Sequence, residues 1–259
     1  MNREQPALTV SSCLLGMNVR YNGNNRYHSF ISSVLNEHFD LIPICPEVAI
    51  AMGVPRPPIQ LRIIDNETRA IGFEDHEVYV TTSSLHVYGR QQASHVCEFC
   101  GYIVKSRSPS CGISDTAIFS DHGISTGPGI YARKILHALP YLPAIDKIQL
   151  DQAETKNNFL GPVFSMARWH QPGTRALKVT HLVDFYATHY LTLAAHDNEA
   201  NVALSKTISN LRDPLPPIAI DDYLKQFHDC LKTRLTQRDH IRILTSLHNF
   251  LAPVISRDE

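Results

Sequence analysis

Net charge is almost missing from this chain: 24 lysines and arginines stand against 25 aspartates and glutamates over 259 residues. Such a balance gives no electrostatic case for a nucleic acid or an anionic membrane surface as partner. The opening MNREQPALTV lacks the apolar core of a signal peptide. The most apolar stretch, LIPICPEVAIAMGV, is interrupted by prolines and by Glu47, so it does not read as a membrane span. A soluble, cytoplasmic protein is therefore expected. Internal repeats and low-complexity tracts are absent, as are a Walker or dinucleotide fingerprint, an HExxH motif and a second CxxC. Those absences remove P-loop nucleotide hydrolysis, the Rossmann cofactors, zincin-type hydrolysis and a four-cysteine zinc knuckle.

Hydrophobic residues make up 43% of the chain and charged residues 19%, enough for a packed core. The first half alternates between strand and helix. ALTVSSCLL, DLIPICPEV, EVYVTT, CGYIV and DTAIFS read as strands, while SFISSVLNEHF, SLHVYGRQQASHVCEF and PGIYARKILHAL carry helical spacing. This order predicts an α/β domain over residues 1–150, with a mostly parallel sheet covered by helices on both faces. From about Asp151 every apolar pattern is helical, from NNFLGPVFSMARWH to RDHIRILTSLHNFLAP. An all-α C-terminal domain is expected over 151–259, with the linker near 150–175.

Six cysteines stand at 13, 45, 97, 100, 111 and 230, five of them in the first 111 residues. In a cytosolic chain such clustering suggests metal or redox chemistry before disulfides. Cys13, Cys45 and Cys111 each follow a predicted strand, and parallel strands put their carboxyl ends on one edge, where ligands bind. Three distant thiols can therefore meet. Their softness suits an iron–sulfur cluster or zinc, and three ligands rather than four leave one metal position open. Three unrelated buried cysteines are the plainer alternative.

Other residues nearby carry two readings each. Glu47 is either a proton-handling carboxylate or an ordinary first-turn glutamate. Ser108 and Ser110 flank Pro109 and offer hydroxyls, as turn serines commonly do. Arg20 and Arg56 offer forked donors for a carbonyl or anion, and Arg56 equally suits a loop strut. STGPGIYAR reads as a helix-start turn before it reads as an anion cradle. Cys97 and Cys100 form a lone CEFC, half a zinc site or a redox pair at most, and Cys230 on an amphipathic helix reads as core. His181, His189, His196, His228, His240 and His248 fall in the helical half, where interspersed surface histidines are commoner than a buried polar or metal site.

Four stretches in order, SSCLLGMNVRYNG, PICPEVAIAMGVPRPP, CGYIVKSRSPSCG and GPGIYAR, resemble the motifs of the 2-thiouracil desulfidase family over roughly residues 8–145. LVDFYATHYLTLAAH and RDHIRILTSLHNFL are more loosely similar to the YbgA-type helical domain often fused to it. The first resemblance implies a 4Fe–4S cluster held by Cys13, Cys45 and Cys111, its open iron taking the sulfur of a thiocarbonyl. Glu47 and Ser108 would be the proton-handling and substrate-orienting residues. The implied activity replaces sulfur by oxygen in a small thiolated pyrimidine-like compound, with release of hydrosulfide. A non-catalytic cluster-binding or sensing module and a sulfur transferase are the alternatives. Many family members have Cys-Arg-Tyr in the first loop, where this chain has Val19-Arg20-Tyr21.

Overall fold

The structure, a computed structural model, describes residues 5–74, 77–96, 98–170, 178–233 and 235. The chain divides into two compact units, 1–170 and 171–259. The elements of unit one run in the order β1 (Ala7–Ser11), α1 (Ser29–Ser33), β2 (Asp40–Ile44), α2 (Pro46–Ala49), β3 (Ile59–Ile64), β4 (Glu67–Glu74), β5 (Glu77–Val80), α3 (Thr82–Val96), β6 (Tyr102–Val104), β7 (Thr116–Ser120), β8 (Gly123–Gly127), α4 (Ile130–Ala138), β9 (Ala144–Asp146), α5 (Lys147–Leu150) and α6 (Ala153–Trp169).

Four of these strands make the expected parallel sheet, in the order β2-β1-β6-β9. Central β1 and β6 are buried at every residue, because helices and turns cover both faces, whereas edge strand β2 stays partly exposed. Strand order reverses about β1: the chain leaves it for β2 on one side and later returns to β6 on the other. Crevices form at the carboxyl edge of such a switch point.

EVYV and TAIFS do not extend this sheet. They are β5 and β7 of a second, mixed sheet ordered β5-β4-β3-β7-β8. The hairpin β3–β4 is closed by Asp65 and Asn66, both with positive φ (53° and 60°), and Ile64 pairs with Glu67. Asp and Asn tolerate that left-handed conformation better than most residues, and it matches the twist of the flanking strands. Ile59 and Leu61 point into a core shared with Leu85, Tyr102, Val104, Tyr131 and Ile135, while Gln60 and Arg62 lie on the opposite face.

Helix α6, which begins the helical run, belongs to unit one. Its Val163 is fully buried, and Phe164 packs on Phe39 with ring centroids 5.2 Å apart. Gly101 lets it approach, since a Cβ there would lie 2.9 Å from Val163 Cγ2. Unit two, taken by itself, contains α7 (Val179–His196), α8 (Asn198–Asn210) and α9 (Pro217–Leu231) around Leu182, Leu193, Leu204, Tyr223 and Phe227. The segment RDHIRILTSLHNFLAP lies outside the described residues. No described helix is long and apolar enough to cross a membrane.

Candidate active site

Three turns at the carboxyl edge of the parallel sheet build the site. β1 runs into a single 3-10 turn, Ser12–Leu15, which carries Cys13 and ends on Gly16 at φ 88°. β2 ends at Ile44, and Cys45 is the extended residue before α2, whose start is set by Pro46 at the first helical position. β6 leads to the turn that presents Cys111.

That last turn is fixed from three directions. Ser108 Oγ accepts hydrogen bonds from the backbone amides of Cys111 (3.0 Å) and Ser110 (3.4 Å). Thr116 Oγ1 donates to Ser108 O over 3.0 Å. The first amides of α4 supply the rest: Gly129 donates to Gly112 O, Ile130 to Pro109 O and Ala132 to Ser110 O, at 2.8, 2.9 and 3.0 Å. Those donors have no partner inside their own helix. The glycine-rich segment before α4 is thus a helix start, and it grips the Cys111 turn rather than cradling an anion. Gly129 is needed there because a Cβ would come within 2.5 Å of the Ser110 carbonyl carbon.

Cys13, Cys45, Cys111, Glu47, Ser108 and Arg20 line one cleft of about 500 Å³. Glu47 is held at both oxygens. Ser110 Oγ donates to Oε1 over 2.8 Å, while Arg56 donates to Oε2 from Nε (2.9 Å) and Nη2 (2.7 Å). Arg56 is itself buried and also donates to Gly53 O and Val19 O. The sequence offered Arg56 as a ligand donor or a loop strut; its donors go to Glu47 and to two loop carbonyls. Ser110 as the partner of Glu47 was missed, since 63 residues separate them and no local pattern joins them.

Burial raises all three thiols. Cys13 is pushed up to about 11, by burial first and then by the nearby Cys45. Cys45 is raised by burial, and Cys111 is raised by burial, then by Cys45, Glu47 and Cys13. Cys45 thus stands within electrostatic reach of both Cys13 and Cys111. Lys105, on the cleft wall, is lowered by burial, with Cys13 opposing the shift. Among the described residues no three His, Cys, Asp or Glu side chains are grouped closely enough for a single metal ion. An all-sulfur donor set distributed around a cleft suits a multi-iron cluster better than a mononuclear site.

The remaining candidates lie elsewhere. Cys97 is outside the described residues, and Cys100 is fully buried, its thiol raised to about 12 by burial. Cys230 packs in unit two, with Sγ 3.4 Å from Leu193 O and Asp197 O. His189 Nδ1 lies 2.8 Å from Phe185 O, His196 Nδ1 lies 2.6 Å from Thr233 O, and His228 is buried and lowered to about 4. His181 Nδ1 accepts from the Lys178 amide at the start of α7. His240 and His248 lie outside the described residues.

A family model described as 2-thiouracil desulfurase matches residues 8–147. No curated protein matches the chain. A solved structure of a 4Fe–4S-dependent thiouracil desulfidase, TudS, is 22% identical, with a TM-score of 0.44, covering 57% of this chain and 94% of its own.

Proposed function

The chain belongs to the 2-thiouracil desulfurase family, and from that premise we propose that its cleft replaces the sulfur of a thiocarbonyl in a thiolated pyrimidine-like compound by oxygen. The observation that carries this reading is the convergence of Cys13, Cys45, Cys111, Glu47 and Ser108 on one cleft from distant parts of the sequence. The reaction balances without net electron transfer: water supplies the oxygen, the carbon–sulfur bond breaks, and hydrosulfide leaves.

Cys13, Cys45 and Cys111 would hold a 4Fe–4S cluster through their thiolates. Bound there, the cluster supplies an open iron as Lewis acid toward the thiocarbonyl sulfur. Loading it releases the protons that burial keeps on the thiols. Glu47 handles protons at Oε1, the oxygen that Arg56 leaves free and Ser110 orients. Its task is to take a proton from the incoming water. Ser108 accepts two backbone amides, which leaves its hydroxyl hydrogen to donate to the substrate. Pro58 and Phe119 also line the cleft and offer apolar surface to a flat ring.

Anaerobic reconstitution tests the reading. Wild type should take up iron and release sulfide from 2-thiouracil. Glu47→Ala should keep its iron and lose sulfide release by roughly a hundredfold or more, the usual scale of general acid–base catalysis. Cys13→Ala, Cys45→Ala and Cys111→Ala should each lose the cluster absorbance. Full activity in Glu47→Ala, or an intact cluster in all three cysteine variants, would overturn it.

A further inference from the structure

Three arginines line the cleft; Arg107 is largely exposed beside Asp115, and the surroundings of the other two are opposite. Arg56 makes four donor contacts inside the protein, to Glu47 Oε2 twice, Gly53 O and Val19 O, all between 2.7 and 2.9 Å. Arg20 lines the same cleft, yet its Nη1 is buried and has no hydrogen-bond partner. A buried guanidinium donor without an acceptor is unfavourable, and a small turn of the guanidinium toward the cleft would let a ligand acceptor relieve it. Of the remaining cations of the cleft, Lys105 Nζ donates to Ser106 O and Arg107 lies beside Asp115.

Arg20 is also held in place. Its guanidinium carbon stands 5.5 Å from the centroid of the Tyr21 ring, and its backbone closes a tight loop, with Arg20 N donating to Asn24 O and Gly23 N to Arg20 O. The Arg56 amide donates to Tyr21 O over 2.8 Å, so this loop is fastened to the residue that grips Glu47. The unpaired donor and the carboxylate are therefore carried on one frame. Arg20 also lies close enough to Cys13 for its charge to act on that thiol.

We propose that Arg20 is the substrate-recognition residue of the cleft, its guanidinium donating to a carbonyl oxygen of the bound thio-heterocycle, while Arg56 is a positioning residue that acts only through Glu47. This rests on the desulfidase reading for the identity of the substrate. A pyrimidine with a ring carbonyl beside its thiocarbonyl meets Arg20 and the open metal position at two different atoms, which fixes which sulfur is presented.

Uracil, an unreactive ligand carrying the same carbonyl groups, separates the two roles. By calorimetry on anaerobically loaded protein, Arg20→Met should weaken uracil binding roughly tenfold or more, the size of one charge-assisted hydrogen bond. The KM for 2-thiouracil should rise by a similar factor. Pyrimidine-2-thione, which lacks the ring carbonyl, should bind wild type and Arg20→Met alike. Arg56→Lys, or Arg56→Gln if the lysine variant does not fold, should keep uracil affinity within about twofold while kcat falls roughly tenfold or more. Unchanged uracil affinity in Arg20→Met overturns the recognition role, and equal loss of affinity in the Arg56 variant overturns the division between the two. Uracil binding through Arg20 without sulfide release would leave Arg20 standing and remove the desulfidase reading. Failure of wild type to bind any of the three compounds removes both.

Discussion

At Cys13 the folded protein holds a proton more tightly than the unfolded chain does, because burial and the neighbouring Cys45 both disfavour the thiolate. In metal-free protein this contributes stability that is complete below the ordinary thiol value of 9.0 and is lost as pH rises towards about 11. A difference of that size between folded and unfolded chain corresponds to about 3 kcal/mol. Chemical denaturation of the metal-free protein should show its midpoint falling across that window, with a shallower fall in Cys13→Ser. A midpoint independent of pH there would mean the thiolate is not so disfavoured. Residue types told part of this in advance. Cysteines after strands pointed to a shared edge, and Glu47 stood out two residues after Cys45. The Ser110 and Arg56 contacts to Glu47 were not legible, because they join turns far apart in the chain through side-chain rotamers that no periodicity encodes.

Among the elements, α4 is the one whose position the site depends on most. Its first amides bond the carbonyls of the Cys111 turn, so helix start and turn form one structure. Gly129→Ala forces a methyl group to 2.5 Å from the Ser110 carbonyl carbon and 2.6 Å from its oxygen. The expected cost is on the order of 1–3 kcal/mol with iron uptake reduced alongside. A thermal melt of Gly129→Ala checks it, and a melting temperature equal to that of wild type would overturn it. The sequence marked the helix start through GPG and the strand end through its serine-rich turn, but it treated them as separate features. The Asp65–Asn66 hairpin did carry a local signal, since two turn formers separate two alternating runs; its partner strands, however, belong to a sheet that only the packing of the core reveals.

On the scale of the whole molecule, the boundary between the two units falls at His170, within the span 150–175 where the linker is expected. Phe159, Val163 and Met166 of α6 are buried within unit one, and Phe164 covers Phe39. A chain ending at His170 should therefore fold cooperatively and take up iron, whereas one ending at Leu150 should aggregate through the apolar surface that the loss of α6 leaves bare. Size-exclusion profiles and iron content of the two truncations decide it; a soluble, iron-loaded 1–150 fragment would show α6 to be dispensable.

By itself the sequence determined the elements: buried strands, amphipathic helices and the turns that end them are set by hydrophobic period, proline and glycine, all local properties. It also marked out the candidate thiols, because only cysteine supplies thiolates and their positions after strands imply a common edge. The tertiary structure alone decided that EVYV and TAIFS leave the parallel sheet for a second one, that α6 closes the first unit, and that Arg56 faces Glu47 while Arg20 Nη1 is left without a partner. Each of those outcomes depends on which surfaces meet across long stretches of chain, and the free energy of such contacts is not written in any local pattern.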